Sequence, residues 1–194
     1  MNLTIIKLGG SLMRSSELSA WLISIESLSE NSDVIIVPGG GEFADSVRSL
    51  QNTHGFDDHT AHRMALLAMC QYGHLLAGMN PKLHPVEDID AILSSLGKNI
   101  PLLWLPMALI DDDTEICASW DFTSDSIALW LATKLLATKL VLVKSKDLNS
   151  VNTSIRNHIK MNHLDKGFQE LSKVYSGEIL FFEKSQYGQL INLN

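Results

Sequence analysis

The 194-residue sequence predicts an α/β fold, a three-layer sandwich with a largely parallel central sheet covered on both faces. Two observations carry this. Short runs of β-branched residues and leucine alternate with stretches whose apolar residues recur at helical spacing. Two of the runs end on glycines that open the next helix, as in Lys7-Leu-Gly-Gly10 and Val37-Pro-Gly-Gly-Gly41.

In chain order, Leu3 to Leu8 reads as a buried strand, and Ser11 to about Ser29 as a helix through Leu12, Leu18, Trp21, Leu22, Ile25 and Leu28. Val34 to Val37 is the second strand and Glu42 to about Leu50 the second helix. Asp57 to Tyr72 carries Ala61, Met64, Ala65, Ala68 and Met69 at helical spacing, with Asp57 and Asp58 near its positive end. His74 to Ala77 is a candidate strand, followed by a Pro-bracketed loop, a helix from Asp88 to Leu96 and a strand from Leu102 to Leu105. Thr123 to Ala137 reads as a helix with Thr123 or Ser124 as N-cap and Asp125 in its first turn. Leu140 to Val143 is a buried strand, Asp147 to Asn162 a loop with a short helix, Leu164 to Leu171 a helix, and Ile179 to Phe182 a closing strand.

An apolar content of 45% suffices for one buried core, and 19% charged residues argue against disorder. A net charge of −7 disfavours nucleic-acid and anionic-membrane partners, since nothing offsets phosphate repulsion globally. Cys70 and Cys117 stand alone, as expected of a reducing compartment. The first ten residues lack the basic and apolar regions of a signal peptide, and no apolar run reaches spanning length, so a cytoplasmic protein is expected. The polar run Asp111 to Glu115 is the expected join between two parts of a single domain, 1–115 and 116–194.

Gly39-x-Gly41-x-x-Ala44 satisfies a loose dinucleotide fingerprint, but no strand ending in a ribose-binding acid follows it. No P-loop pattern occurs. A lysine in an otherwise apolar strand, Lys7, precedes Gly9, Gly10 and Ser11, whose backbone N–H groups can approach an anion closely. Two strand–glycine–helix turns in one parallel sheet bring two anion sites side by side, which suggests phosphoryl transfer. Asp121 and Asp125 lie four apart near a helix start. They read equally as capping acids or as two carboxylates in one cleft, with Asp125 orienting lysines and a Mg²⁺-nucleotide.

The ordered set Lys7-Leu-Gly-Gly-Ser11, Val37-Pro-Gly-Gly-Gly41 and Asp121-x-x-x-Asp125 before an alanine-rich helix resembles the amino acid kinase superfamily, which includes acetylglutamate, carbamate, uridylate and isopentenyl phosphate kinases. The resemblance implies the carbamate kinase-like fold, with ATP and Mg²⁺ as cofactors. It places the phosphoryl acceptor on 1–115 and the nucleotide on 116–194. It makes Lys7 the stabiliser of transferring charge, Gly9, Gly10 and Ser11 donors to phosphate, Gly39, Gly40 and Gly41 the acceptor cradle, and Asp125 the organising carboxylate. After Leu140-Val-Leu-Val143 the chain reads Lys144-Ser-Lys-Asp147 where the common members carry a D-G-V-Y type segment. Lys144 and Lys146 are therefore candidate ATP phosphate contacts, with exposed loop lysines as the alternative.

Phe56 to Met69, Ser119 to Leu131 and Leu164-Asp165-x-x-Phe168 are similar to a subgroup of short kinases linked to methanofuran synthesis. Its best-known activity converts (5-aminomethyl-furan-3-yl)methyl phosphate to the diphosphate with ATP; other acceptors, or a non-catalytic nucleotide-binding sensor, are the alternatives. For such a substrate Asp57 or Asp58 offers an acid to a cation, and His59, His62 or Arg63 offers donors to phosphate. The His59-x-x-His62 spacing lacks a clear fourth ligand, so no metal site is assigned to it. A small phosphorylated molecule is the expected partner, and exposed apolar helices make a homo-oligomer the expected assembly.

Overall fold

A computed structural model describes residues 2–107, 116–144 and 164–193. The Asp111–Glu115 join, Lys146 and the loop expected from Asp147 to Asn162 lie outside the described residues. Among the described residues six strands form one sheet: β1 (Leu3–Leu8), β2 (Asp33–Pro38), β3 (His84–Val86), β4 (Pro101–Trp104), β5 (Lys139–Lys144) and β6 (Glu178–Glu183). Their order is β3-β4-β2-β1-β5-β6 and every pairing is parallel. All six residues of β1 are buried because the strand is central and covered on both sides.

Among the described residues six α-helices accompany the sheet: α1 (Leu18–Ser29), α2 (Gly41–His54), α3 (Asp58–Met79), α4 (Ile89–Ser95), α5 (Ser124–Lys134) and α6 (Gly167–Leu171). The strands' period of two divides the core. Ile6, Leu8 and Ile36 pack with Trp21, Leu22 and Ile25 of α1. Leu3, Ile5 and Ile35 pack with Ile127, Leu131 and the α6 residue Phe168 on the opposite face. Lys7 shares the parity of Leu3 and Ile5, so its strand turns it toward the α5 side. Every residue of α5 from Asp125 to Ala132 is buried, as expected of a helix without a polar face. Burying this first turn forces Asp125 into the protein interior.

Four elements differ from expectation. The chain after Gly10 makes one 3₁₀ turn, Gly10–Leu12, and α1 begins only at Leu18. Ser15 and Ser16 hydroxyls both donate to the Glu17 carboxylate, a local alternative to helix. The strand expected at His74–Ala77 is instead the last part of α3. Gly73 does not end the helix; it makes room, since a Cβ there would lie 2.5 Å from Leu105 Cδ2. The edge strand β3 lies in the segment expected to be a loop, and its Pro85 is tolerated at the edge of the sheet. The helix expected from Leu164 starts only at Gly167.

Candidate active site

The C-terminal ends of β1, β2 and β5 converge on one place, as ligand sites do in open parallel sheets. Lys7 sits one residue before the end of β1 and Lys144 ends β5, the neighbouring strand. Asp125, in the first turn of α5, lies between their side chains. Lys7 Nζ is 3.0 Å from Asp125 Oδ1, a contact ion pair not aligned as a hydrogen bond. The Lys144 ammonium donates to Asp125 Oδ2. The three side chains are 7%, 8% and 14% exposed, so two nearly buried ammoniums share one nearly buried carboxylate and leave a net positive charge.

Burial opposes the Asp125 charge, but Lys7 and Lys144 outweigh it and hold the carboxyl below its ordinary value. For Lys144 burial wins: it and the neighbouring Lys7 charge push the ammonium down to about 8 against the pull of Asp125.

The two glycine turns touch backbone to backbone. A Cβ on Gly10 would lie 2.1 Å from the Gly41 nitrogen, and one on Gly39 would lie 2.5 Å from the Gly10 nitrogen. Gly41 also has φ +55°, a left-handed backbone that favours glycine. Gly9 has its own constraint, since a Cβ there would lie 2.9 Å from the Val143 carbonyl oxygen and 3.6 Å from Lys7 Nζ. The glycines therefore bring the two turns and β5 within one small space beside the lysines.

Two connected hollows open from this point. The polar one is lined by Gly10, Ser11, Arg14, Gly41, Glu42 and Asp45, with Arg14 paired to Glu42. The other, about 680 Å³ of open space, shares Gly40, Ala44 and Ser124 with it. Its walls are mainly apolar, including Leu66, Met69, Trp120, Phe122 and Ile127, with Arg48, Asp58 and His62 supplying charged or polar side chains.

Of the residues expected on the acceptor side, the apolar hollow takes Gly40, Asp58 and His62. Asp57 serves as the N-cap of α3, accepting from the Thr60 N–H at 2.7 Å, which keeps its carboxyl below the ordinary value. His59 and Arg63 are exposed on α3 and line neither hollow. Asp121 does not share a cleft with Asp125. With Thr123 as the N-cap of α5, Asp121 lies in the preceding turn, exposed, with its Oδ1 2.9 Å from Lys166 Nζ.

Asp165 is a residue that sequence reasoning left without a role. Its carboxylate accepts from the Thr123 N–H (2.8 Å), the Thr123 hydroxyl (2.6 Å), the Ser126 N–H (3.2 Å), the Ser126 hydroxyl and the Phe168 N–H (3.0 Å). Thr123 does stand at the N-cap position of α5, yet its hydroxyl serves Asp165 and the distant carboxylate satisfies the helix end. Burial, then the Asp125 charge, pushes the Asp165 carboxyl up against these donors. Arg48 and Gln51 were also missed, although Ala44, Arg48 and Gln51 recur at the spacing of one helix face, which was the available signal.

The chain is 26% identical over 139 residues to a [5-(aminomethyl)furan-3-yl]methyl phosphate kinase of Methanocaldococcus jannaschii, across 72% of this chain and 63% of that relative's length. A uridylate kinase of Archaeoglobus fulgidus superposes with a TM-score of 0.67 at 12% identity, covering 100% of this chain and 97% of that one. An isopentenyl phosphate kinase superposes with a TM-score of 0.62 at 16% identity, covering 98% and 95%. These structural likenesses are to the fold: one parallel α/β sandwich shared by the three chains. Residues 2–150 match the model of the amino acid kinase family, and with the paired glycine turns at the ends of β1 and β2 the chain belongs to that family.

Proposed function

We propose that the protein transfers the γ-phosphoryl group of Mg-ATP to a small phosphate monoester. The observation that carries this reading is the pair of buried lysines sharing one carboxylate beside the two glycine turns. Such a cluster has one positive charge in excess and lies next to backbone groups free of side-chain bulk, which suits phosphoryl oxygens.

The acceptor's phosphate is assigned to the Gly39, Gly40 and Gly41 turn and its body to the apolar hollow. Gly9, Gly10, Ser11, Lys7 and Lys144 are assigned to the transferring phosphate. In the reaction an acceptor phosphate oxygen forms a bond to the γ-phosphorus, the β,γ-bridging oxygen–phosphorus bond breaks, and ADP departs with that electron pair. Lys7 and Lys144 hold positive charge against the oxygens that gain negative charge, and Asp125 keeps both ammoniums in place. The described residues hold no group of three metal-ligating side chains, and Asp125 is committed to its lysines. Mg²⁺ is therefore assigned to the nucleotide's own phosphate oxygens.

This keeps the acceptor mainly on the 1–115 part and the nucleotide on the 116–194 part, with Ser119, Trp120 and Phe122 reaching across to line the acceptor hollow. For the acceptor itself, the named relative supports a furan-methyl phosphate. The apolar walls favour it over UMP, whose sugar and base would lose more hydrogen bonds to water than the hollow can replace.

An ADP-release assay with Mg-ATP tests this reading against the furan phosphate, isopentenyl phosphate and UMP. Turnover of the furan phosphate is expected. Turnover of UMP alone overturns the acceptor assignment, and tight Mg-ATP binding without turnover of any acceptor overturns the kinase reading.

A further inference from the structure

Trp120 stands in the wall of the apolar hollow and is held from two sides. Its indole Nε1–H donates to Gln51 Oε1 at 2.6 Å, and the Arg48 guanidinium lies 4.3 Å from its ring centroid. The same Gln51 amide donates from Nε2 to Asp58 Oδ1 at 2.8 Å and to the Phe56 carbonyl at 3.2 Å. An indole only donates, so the carbonyl end of Gln51 must face it, and the amide then has no freedom to flip. Gln51 thus ties one aromatic wall to one carboxylate of the same hollow. Trp120, Gln51 and Arg48 make no hydrogen bond or ion pair with the lysine–aspartate cluster, whose partners are one another.

Holding a large ring in one orientation has an entropic cost, and its return is a fixed flat surface. Around that surface lie Ala44, Ala61, Ala65, Leu66 and Met69. Small alanines on α2 and α3 leave room beside the ring, and the leucine and methionine form an apolar wall. A saturated body of equal volume would fill this space as well as a flat one, but it would gain no ring-on-ring contact.

We infer that Trp120 is the specificity-determining residue for the acceptor, that it selects a flat unsaturated body bearing the phosphate, and that Gln51 is the positioning residue that holds it. The inference rests on the reading of the apolar hollow as the acceptor site. Offset or edge-on aromatic contacts contribute about 0.5–1.5 kcal/mol beyond area burial, which is about 2- to 13-fold in affinity.

The test is equilibrium binding by calorimetry, so it does not depend on whether any acceptor is phosphorylated. The probes are benzyl phosphate and cyclohexylmethyl phosphate, close in size and identical in charge. The unaltered protein is expected to bind benzyl phosphate about 2- to 13-fold tighter. Trp120→Ala should bring that ratio to about 1, Trp120→Phe should keep most of it, and Gln51→Leu should lower it while thermal unfolding shows each variant folded. A ratio near 1 in the unaltered protein, a ratio unchanged in Trp120→Ala, or no binding of either probe overturns the inference. Turnover measured separately reports on the kinase reading, so a protein that discriminates the probes yet transfers no phosphoryl group would defeat that reading alone.

Discussion

At the end of the site proposed for phosphoryl transfer, Lys7, Asp125 and Lys144 come from two adjacent strands and a helix buried on every side. At the end proposed for the acceptor, Arg48, Asp58 and Trp120 come from α2, the start of α3 and a turn before α5, and the Arg48 side chain is 49% exposed. The first set is fixed by the core itself: strand register brings Lys7 opposite Leu142, and α5 cannot move without disturbing Ile127 and Leu131. The second is fixed by side chains holding one another, Gln51 to Trp120 and Gln51 to Asp58. One end is suited to a reaction that does not vary with the acceptor. The other can be changed by a few surface substitutions without disturbing the fold.

The largest break in that contrast is Asp125→Ala. It leaves two ammoniums facing each other in the interior, and losing one partner of a buried charge set costs about 3–5 kcal/mol. Urea unfolding should report that loss, with activity abolished, while Arg48→Ala at the other end should unfold at nearly the same urea concentration as the unaltered protein. An Asp125→Ala protein as stable as the parent would mean the core does not hold the cluster.

Lys7→Ala removes charge and leaves Asp125 paired with Lys144, so the fold should survive. The kcat should fall by on the order of 10²-fold or more, as for loss of one group that stabilises transferring charge. A near-normal kcat would remove the β1 turn from the transfer step. Gly10→Ala tests the turns themselves. Its Cβ would meet the backbone of Gly41 at 2.1 Å, so the turns must part, at about 1–3 kcal/mol for overpacking. Weaker Mg-ATP binding, measured by calorimetry, should accompany a lower midpoint of thermal unfolding.

The same contrast governs what the sequence could disclose. That Lys7, Asp125 and the two glycine turns come together was legible because their signals are local: a lysine in an apolar strand, glycines at strand ends, an acid in the first turn of an apolar helix. Lys144 was readable only as a candidate, since nothing in Lys144-Ser-Lys146 tells that the first lysine ends a buried strand. The helix cap supplied by Asp165 was not readable, because the donors it serves lie 39 and 42 residues away. At the acceptor end Asp58 and His62 could be named from their helix, whereas spacing left Asp121 open between a capping acid and a second carboxylate beside Asp125; the structure puts it in the turn before α5, paired with Lys166. The end of α3 was not readable either, since Gly73 sits inside the helix for a tertiary reason, the closeness of Leu105. Helices and strands follow from periodicity; contacts between distant turns do not.

The smallest expected effect is a pH dependence, and it separates the chemistry of the transfer end from its stability. Burial and Lys7 push Lys144 down to about 8, so the free protein loses that charge as the pH rises through this value. The kcat/KM for ATP reports the free protein and should fall above about pH 8, whereas the limb in kcat should lie higher because bound phosphate favours the ammonium. Stability moves the other way for this group. Between about 8 and its ordinary value of 10.5 the unfolded chain holds the proton and the folded one does not, so rising pH favours the folded state. Asp125, held below its ordinary value, contributes stability that is lost only as the pH falls through the acid range. A fall in kcat/KM above pH 8 with no fall in the unfolding midpoint would mark titration of Lys144. A midpoint that falls together with kcat/KM would mean the transfer end loosens when its second ammonium is neutralised, and the core would then hold the cluster less firmly than the side-chain clamp holds Trp120.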